Sequence, residues 1–200
     1  YATAFYTAFD SQSFSESRFD PVTNTFVNRT EFTSTTSYGL ELESTIRPTE
    51  WFDLTVMGTA QDPRFGDFKF NENVGGVLVP RDFSNNMQVR APKVSGRITP
   101  AFNLVGGKLR VEGDLQYFGK RFSDAANTLI IPDYFLLNAQ VRYNVTDDLT
   151  IYAYGTNLTN EIGLTEGNPR AGQFISGETG AKYYLARPEL GRAFRAAVLY

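Results

Sequence analysis

The last eleven residues of the chain, LGRAFRAAVLY, alternate between two faces of an extended strand and end on an aromatic ring. Phe194, Val198 and Tyr200 share one face, because successive side chains of a β-strand point to opposite sides. Soluble domains more often end in frayed polar residues. A terminal aromatic is typical of a membrane-spanning β-barrel, whose last strand pairs with the first and places the ring at the membrane interface. We therefore expect these three residues to act as the assembly signal of a barrel.

The composition excludes several classes of protein. The chain has no cysteine and no histidine, which excludes disulfides, thiolate metal sites and Ser-His hydrolases. A net charge of −3 gives no electrostatic footprint for nucleic acid. We therefore expect no enzymatic activity, no cofactor, no metal site and no nucleic-acid partner. No apolar run approaches the roughly 18 residues of a transmembrane helix.

Eight segments alternate with period two and predict eight β-strands. They run from about Tyr1 to Ser17, Thr35 to Arg47, Trp51 to Gln61, Lys93 to Phe102, Gly107 to Lys120, Tyr134 to Tyr143, Leu149 to Leu158, and Leu190 to Tyr200. None shows a sustained stripe of period 3.6, so the chain is predicted to be all-β. In the first segment Tyr1, Phe5 and Phe9 share a face, whereas the seventh is amphiphilic on both faces and its orientation stays open.

The connections between these segments alternate strictly between short and long. Residues 47–50, 103–106 and 144–148 form short ones, and residues 62–92 and 159–187 form long ones; roughly a dozen residues also follow Arg18 and Arg121. This places every long loop at one rim, as in outer-membrane barrels with short periplasmic turns and long external loops. The pattern predicts a transmembrane antiparallel up-and-down β-barrel.

A barrel in lipid turns the apolar faces of its strands outward and encloses the charged faces. Lys or Arg on the lipid face would cost about 2–4 kcal/mol each near the midplane. The residues predicted to face the lumen are Glu41, Glu43, Lys93, Arg97, Lys108, Arg110, Glu112 and Asp114. The same alternation would suit a soluble β-sandwich or a soluble ligand-binding barrel, with the apolar faces turned to a dry core.

Three stretches near the end of the chain resemble one known family. They are YFLLNAQVRY (134–143), LTIYAYGTNLTNE (149–161) and RPELGRAFRAAVLY (187–200), and APK (91–93) adds a proline-containing entry to a strand. Together they are similar to the C-terminal end of a TonB-dependent outer-membrane receptor. The resemblance implies a 22-stranded barrel in the bacterial outer membrane, of which residues 1–200 form the last eight strands. It also implies an N-terminal plug that is not in this chain.

The resemblance further implies a function and partners. Receptors of this kind import a scarce ligand, most often a ferric siderophore, and couple to the TonB complex through the plug. Outer-membrane lipid and the barrel-assembly machinery are the other expected partners. The alternative is a stand-alone eight-stranded barrel with a structural or adhesive role, and the sequence leaves open whether the ligand is a siderophore, vitamin, haem or saccharide.

Aromatic and basic residues in the long loops are the candidates for ligand contact. Rings beside Arg could hold an anionic, aromatic iron chelate by stacking, cation–π contact and charge pairing. The candidates are Arg64, Phe65, Phe68, Phe70, Arg81, Phe83, Arg121, Phe122, Tyr183, Tyr184 and Arg187. The alternative is that the Phe-rich loop packs on itself over the barrel mouth, and that the tyrosines belong to an interfacial girdle.

Overall fold

The computed structural model describes residues 1–20, 23–74, 77–170 and 181–200. It describes the side chains of all of these residues except 15–20, 26–29 and 72–74. The strands are β1 (Ala2–Asp20), β2 (Thr25–Thr49), β3 (Phe52–Gln61), β4 (Arg64–Phe65), β5 (Lys69–Val74), β6 (Val77–Asp82), β7 (Val94–Leu104), β8 (Leu109–Phe118), β9 (Arg121–Phe122), β10 (Ile130–Ile131), β11 (Tyr134–Asn144), β12 (Thr150–Thr156), β13 (Leu164–Arg170), β14 (Tyr183–Pro188) and β15 (Ala193–Leu199). The described residues contain no helix long and apolar enough to cross a membrane.

Eight long strands form one antiparallel sheet in the order β1-β2-β3-β7-β8-β11-β12-β15. Every neighbour in this order is also the next long strand along the chain, so the prediction of an all-β, up-and-down architecture is confirmed. The remaining strands are short. β4 pairs with the outer part of β2, and β5–β6, β9–β10 and β13–β14 are two-stranded hairpins. Within the described ranges β1 and β15 do not pair with each other, so they do not close an eight-stranded barrel by themselves.

The two faces of this sheet have opposite character. On one face the large apolar side chains are exposed, including Leu40 (63% exposed) and Ile98 (45%). On the other face polar side chains such as Asp53 and Asn138 are buried. Among the described residues, the hydrophobic core cluster lies in the connections between strands and not between two layers of the sheet. This is the arrangement expected of strands whose apolar face meets lipid.

Ion pairs between strands and within a strand connect the side chains of the polar face. Arg97 on β7 makes a bidentate pair with Asp114 on β8, with one N–O distance of 3.0 Å. Arg110 on β8 donates to Asp53 on β3 at 2.9 Å and to Glu112 at 3.0 Å. Since Arg97 and Arg110 each reach a carboxylate on another strand, the register of the sheet and the pairing of these charges depend on each other.

Two features of the sheet differ from the sequence pattern or go beyond it. The first long connection is not a loop, because β1 and β2 continue as a paired hairpin, with Asp20 opposite Thr25. The sequence of this outer part shows no sustained apolar alternation, so period two alone did not predict it as strand. The orientation of β12 is also resolved: Tyr154 pairs with Gln140 and Tyr152 with Arg142, which places both tyrosines on the polar face.

Candidate ligand-binding site at the loop end of the sheet

The long connections lie together at one end of the sheet. Because successive long strands run in opposite directions, the connections after β1, β3, β8 and β12 reach the same edge. The tight turns lie at the other end, for example residues 105–107, where Val105, Gly106 and Gly107 all have positive φ. We call the first edge the loop end. Every residue predicted to contact ligand lies at this end.

A buried aromatic cluster occupies the loop that follows β3. Phe65, Phe68 and Phe83 are all buried and pack with Ala125 from the next long connection. The ring centroids of Phe65 and Phe68 are 5.0 Å apart, and Phe70, partly buried, lies 5.5 Å from Phe68. The loop therefore packs on itself, as the alternative interpretation expected. Ligand contact through these four rings stays a prediction, but their main contacts in this structure are with one another.

An ion cluster at the end of β3 fixes the base of this loop. Arg64 donates to the Asp62 carboxylate at 2.7 Å, and the Lys93 ammonium lies 3.1 Å from its other oxygen. The hydrogen bond from Arg64 is the main reason that the pKa of Asp62 falls to about 2, with Lys93 adding to the effect and partial burial opposing it. Arg64 also donates to the carbonyl of Asn85 at 2.6 Å. Its guanidinium is therefore committed to holding the loop.

Arg121, a predicted ligand contact, anchors the last loop instead of facing solvent. It is 5% exposed and donates to the carbonyls of Leu164 and Thr165 at 2.7 and 2.8 Å. Its guanidinium also lies 5.7 Å from the centre of the Tyr134 ring. These contacts join the short hairpin β9–β10 to β13. Direct ligand contact by Arg121 is not tested by this structure and stays a prediction.

The side chain of Asn127 joins the loop after β8 to the loop after β3 through hydrogen bonds to a backbone edge. Asn127 accepts a hydrogen bond from the Met87 amide at 2.7 Å and donates to the Met87 carbonyl at 3.0 Å. Nearby, Asn86 donates to the carbonyl of Ala125 at 2.8 Å. The Asn127 backbone has a φ of +59°, a left-handed conformation that Asn tolerates better than most residues. The loop after β3 and the loop after β8 are thus joined edge to edge.

A solvent-accessible cationic group at the loop end is centred on Glu166. Arg187 pairs with this carboxylate at 3.2 Å and Arg90 lies 3.8 Å from it. Arg90 also donates to the side chain of Asn168 at 2.7 Å. Arg187 is 75% exposed and Arg90 is 45% exposed, so one carboxylate faces two accessible guanidinium groups. We call this group the Arg90–Glu166–Arg187 cluster, and its excess of positive charge suits an anion.

The other predicted contacts are distributed around these groups. Tyr183 pairs with Arg170 across β13–β14, and the Tyr184 hydroxyl donates to the Ile130 carbonyl at 2.9 Å. Arg81 and Phe122 lie within the hairpins β5–β6 and β9–β10. Sequence reasoning missed Arg90 and Asn168. The one feature of the sequence that points to Arg90 is its position at the end of the connection 62–92, which carries the aromatic residues.

The residues predicted to line the lumen have different surroundings. Arg97, Arg110, Glu112 and Asp114 take part in the ion pairs of the polar face, whereas Lys93 pairs with Asp62 near the loop end. Of the other residues predicted to line the lumen, Lys108 is exposed in the tight turn before β8. Glu41 and Glu43 are exposed on β2 and have no ion-pair partner in the described part of the chain. The lumen itself stays a prediction, because it requires a closed barrel.

The fold and the loop end together define a class of protein: an antiparallel sheet of the transmembrane-barrel type with its long loops gathered at one rim. Residues 1–158 match the family model described as TonB dependent receptor-like, beta-barrel. The chain belongs to the TonB-dependent receptor family. Comparison with the sequences of curated proteins finds no significant match.

Solved structures of the same fold come from several bacteria. The siderophore receptor PiuA from Acinetobacter baumannii superposes with a TM-score of 0.73 at 20% identity, over 99% of this chain and 25% of that one. BauA, the ferric preacinetobactin receptor from the same species, gives 0.63 at 18% identity, over 99% and 26%. The ferric yersiniabactin uptake receptor FyuA from Yersinia pestis gives 0.62 at 14%, over 98% and 29%. The chain therefore spans about a quarter of the length of these proteins.

Proposed function

We propose that this chain is the C-terminal part of the barrel of a bacterial outer-membrane receptor that imports a ferric siderophore. In this proposal the complete barrel has 22 strands and encloses an N-terminal plug that couples to the TonB complex. The strand β15, which is followed by an aromatic residue, is the part that the barrel-assembly machinery engages. Membership of the receptor family supports this assignment. The ferric siderophores named for the similar structures are ligands of those proteins.

The observation that carries the proposal is the pairing of a lipid-compatible sheet with a cationic loop end. The sheet exposes its apolar side chains on one face and joins its charged side chains on the other. At the loop end the Arg90–Glu166–Arg187 cluster offers two exposed guanidinium groups. Tyr183, on the same strand β14 as Arg187, is 39% exposed. Planar guanidinium groups bind carboxylate and catecholate oxygens well, and an aromatic ring can stack on a chelate. Ferric siderophores carry such groups.

Iron uptake by the native bacterium tests this proposal directly. Deletion of the gene is expected to slow growth in iron-depleted medium. It is also expected to abolish uptake of radioactive iron supplied as the ferric siderophore that the native bacterium uses. Wild-type receptor restores uptake only where TonB is present. The double variant Arg90→Ala/Arg187→Ala is expected to restore at most about a tenth of it, since two charge-assisted contacts are lost.

The control variant is Lys108→Ala, which removes an exposed cation in the tight turn at the opposite end of the sheet. It is expected to support wild-type uptake at equal surface abundance. Undiminished iron uptake in the gene deletion, or in the absence of TonB, would contradict the proposed function. Equal uptake by the double variant and the control would remove the Arg90–Glu166–Arg187 cluster from the ligand site without touching the assignment as a receptor.

A further inference from the structure

A recess opens on the polar face of the sheet between β1, β2 and β3, close to the loop end. Its volume is about 490 Å³, within the range of small-molecule sites. It lies where the register of β1 shifts between Phe9 and Gln12, so that Asp10 and Ser11 are left without a partner on β2. A β-bulge of this kind re-aims side chains and often lies beside a functional site.

The recess is lined by groups that form hydrogen bonds but carry almost no charge. Three glutamines contribute to its wall, Gln12, Gln61 and Gln88, together with the hydroxyls of β1 and β2. Among the described residues, Asp10 is the one charged residue in the lining, and no lysine or arginine contributes. An anionic group placed here would meet a carboxylate and no cation. An uncharged group with hydroxyl or amide functions would find both donors and acceptors.

The glutamine side chains differ in how far they are already occupied. Gln61 is oriented by two hydrogen bonds: its amide accepts from Ser37 at 3.2 Å and donates to the Pro92 carbonyl at 3.0 Å. Gln88 makes only long contacts of 3.4 Å, to two backbone carbonyls, which leaves its amide oxygen available. The side chain of Gln12 has no hydrogen-bond partner within the described residues. The wall therefore combines one fixed amide with two that can turn toward a ligand.

Two phenyl rings on the same face complete the recess. Phe5 pairs with Gly39 and Phe9 with Thr35, which places both rings on the face that also carries Glu41. The Phe9 ring is 61% exposed, on a face whose neighbouring side chains are hydroxyls. An exposed ring bordered by hydrogen-bonding groups can stack against the apolar face of a flat, polar molecule, such as a sugar ring or the rim of a neutral chelate.

We propose that this recess binds the uncharged, hydroxyl- or amide-bearing part of the imported ligand, with Phe9 as the stacking surface and Gln12 and Gln88 as hydrogen-bonding groups. This inference rests on the proposed function and narrows the class of ligand. The imported molecule has a neutral polar portion held on the sheet wall, separate from the anionic portion that the Arg90–Glu166–Arg187 cluster would hold. Hydroxamate chelates and oligosaccharides share this chemistry, and the probes used below distinguish them.

Calorimetric titration of the complete receptor in detergent tests the inference with three probes: a neutral ferric trihydroxamate, an anionic ferric tris-catecholate, and the neutral sugar maltoheptaose. The variants are Phe9→Ser and Gln12→Leu. The matched control is Phe32→Ser, which removes an exposed ring from the other face of the same hairpin, opposite Ser13. Both test variants are expected to raise the Kd of a neutral probe about 10-fold, the loss expected for one stacked ring or one hydrogen bond to a buried ligand.

The outcomes separate this inference from the proposed function. Loss of affinity for the trihydroxamate in the two variants, with the control unchanged, supports both. If maltoheptaose alone binds and is weakened by the variants, the recess holds a neutral ligand but the siderophore proposal fails. If neither neutral probe binds, or binds equally well to wild type and variants, the recess inference is overturned, and TonB-dependent iron uptake would still support the receptor assignment.

Discussion

Arg121 offers the sharpest test of how the loop end is built. Its buried guanidinium makes two short hydrogen bonds to the carbonyls of Leu164 and Thr165. Arg121→Ala removes both and leaves two carbonyls of the last loop short of a donor. Hydrogen bonds from a charged donor contribute about 1.5–3 kcal/mol each. Water can replace part of the hydrogen bonding that the two carbonyls lose. We therefore expect the free energy of local opening at β13 to fall by about 3 kcal/mol.

Hydrogen–deuterium exchange on the purified receptor measures this free energy directly. A loss of about 3 kcal/mol corresponds to roughly 100-fold faster exchange in peptides that cover β13 and β14. Arg187→Ala is the matched control, because it removes an arginine from the same hairpin whose ion pair with Glu166 is largely exposed. A surface pair contributes about 0.2–1 kcal/mol, so its effect should stay below about 5-fold. Exchange within the long strands should change in neither variant.

Two results would refute this reasoning. Equal exchange rates for Arg121→Ala and wild type would mean that the last loop is held by other contacts. A larger effect of Arg187→Ala than of Arg121→Ala would mean that exposed charge, and not the buried guanidinium, holds β13 in place.

Three further predictions concern the sheet and its ends. Ile98→Arg on the exposed apolar face should cost about 2–4 kcal/mol of stability in lipid vesicles, whereas Gln140→Arg, on the polar face beside Glu112, should cost little; equal costs would contradict the assignment of the faces. Because the pKa of Asp62 is about 2, below its ordinary value, its ionised form stabilises the folded loop above about pH 4, and this contribution of about 1 kcal/mol disappears as the pH falls toward 2. Exchange at residues 62–65 should therefore be faster in Asp62→Asn than in wild type at pH 5, with the difference shrinking toward pH 2; a constant difference would argue against the ion cluster. Tyr200→Ala should lower the surface abundance of the receptor, measured by labelling of intact cells, and normal abundance would count against the terminal aromatic as an assembly signal.

Period-two alternation was sufficient to predict the eight long strands and, where one face is clearly charged, the face that each strand presents. Strand β8 illustrates why: Leu109, Val111 and Leu115 alternate with charged residues, and the cost of placing those charges in lipid fixes the orientation. Where that cost is absent, the pattern fails. Residues 18–20 continue β1 without an apolar alternation in their sequence, and only the pairing with β2 shows that they form a strand.

The loop end could be predicted in position but not in its contacts. The partners of Arg121 lie more than forty residues further along the chain, at Leu164 and Thr165, and they are backbone carbonyls that leave no mark in the sequence. Phe5 and Phe9 also share a face as expected, yet it is the polar one, because their neighbours on β2 and not their own hydrophobicity decide it. Long-range pairing therefore supplies what local pattern lacks.

The reciprocal hydrogen bonds between Asn127 and Met87 have a consequence for engineering receptors of this kind. A loop transplanted alone from another receptor would arrive without the side chain or the backbone edge that its neighbour requires. New specificity would then be gained most safely by grafting residues 62–92 and 121–131 as a single cassette, so that both halves of the joint come from the same parent.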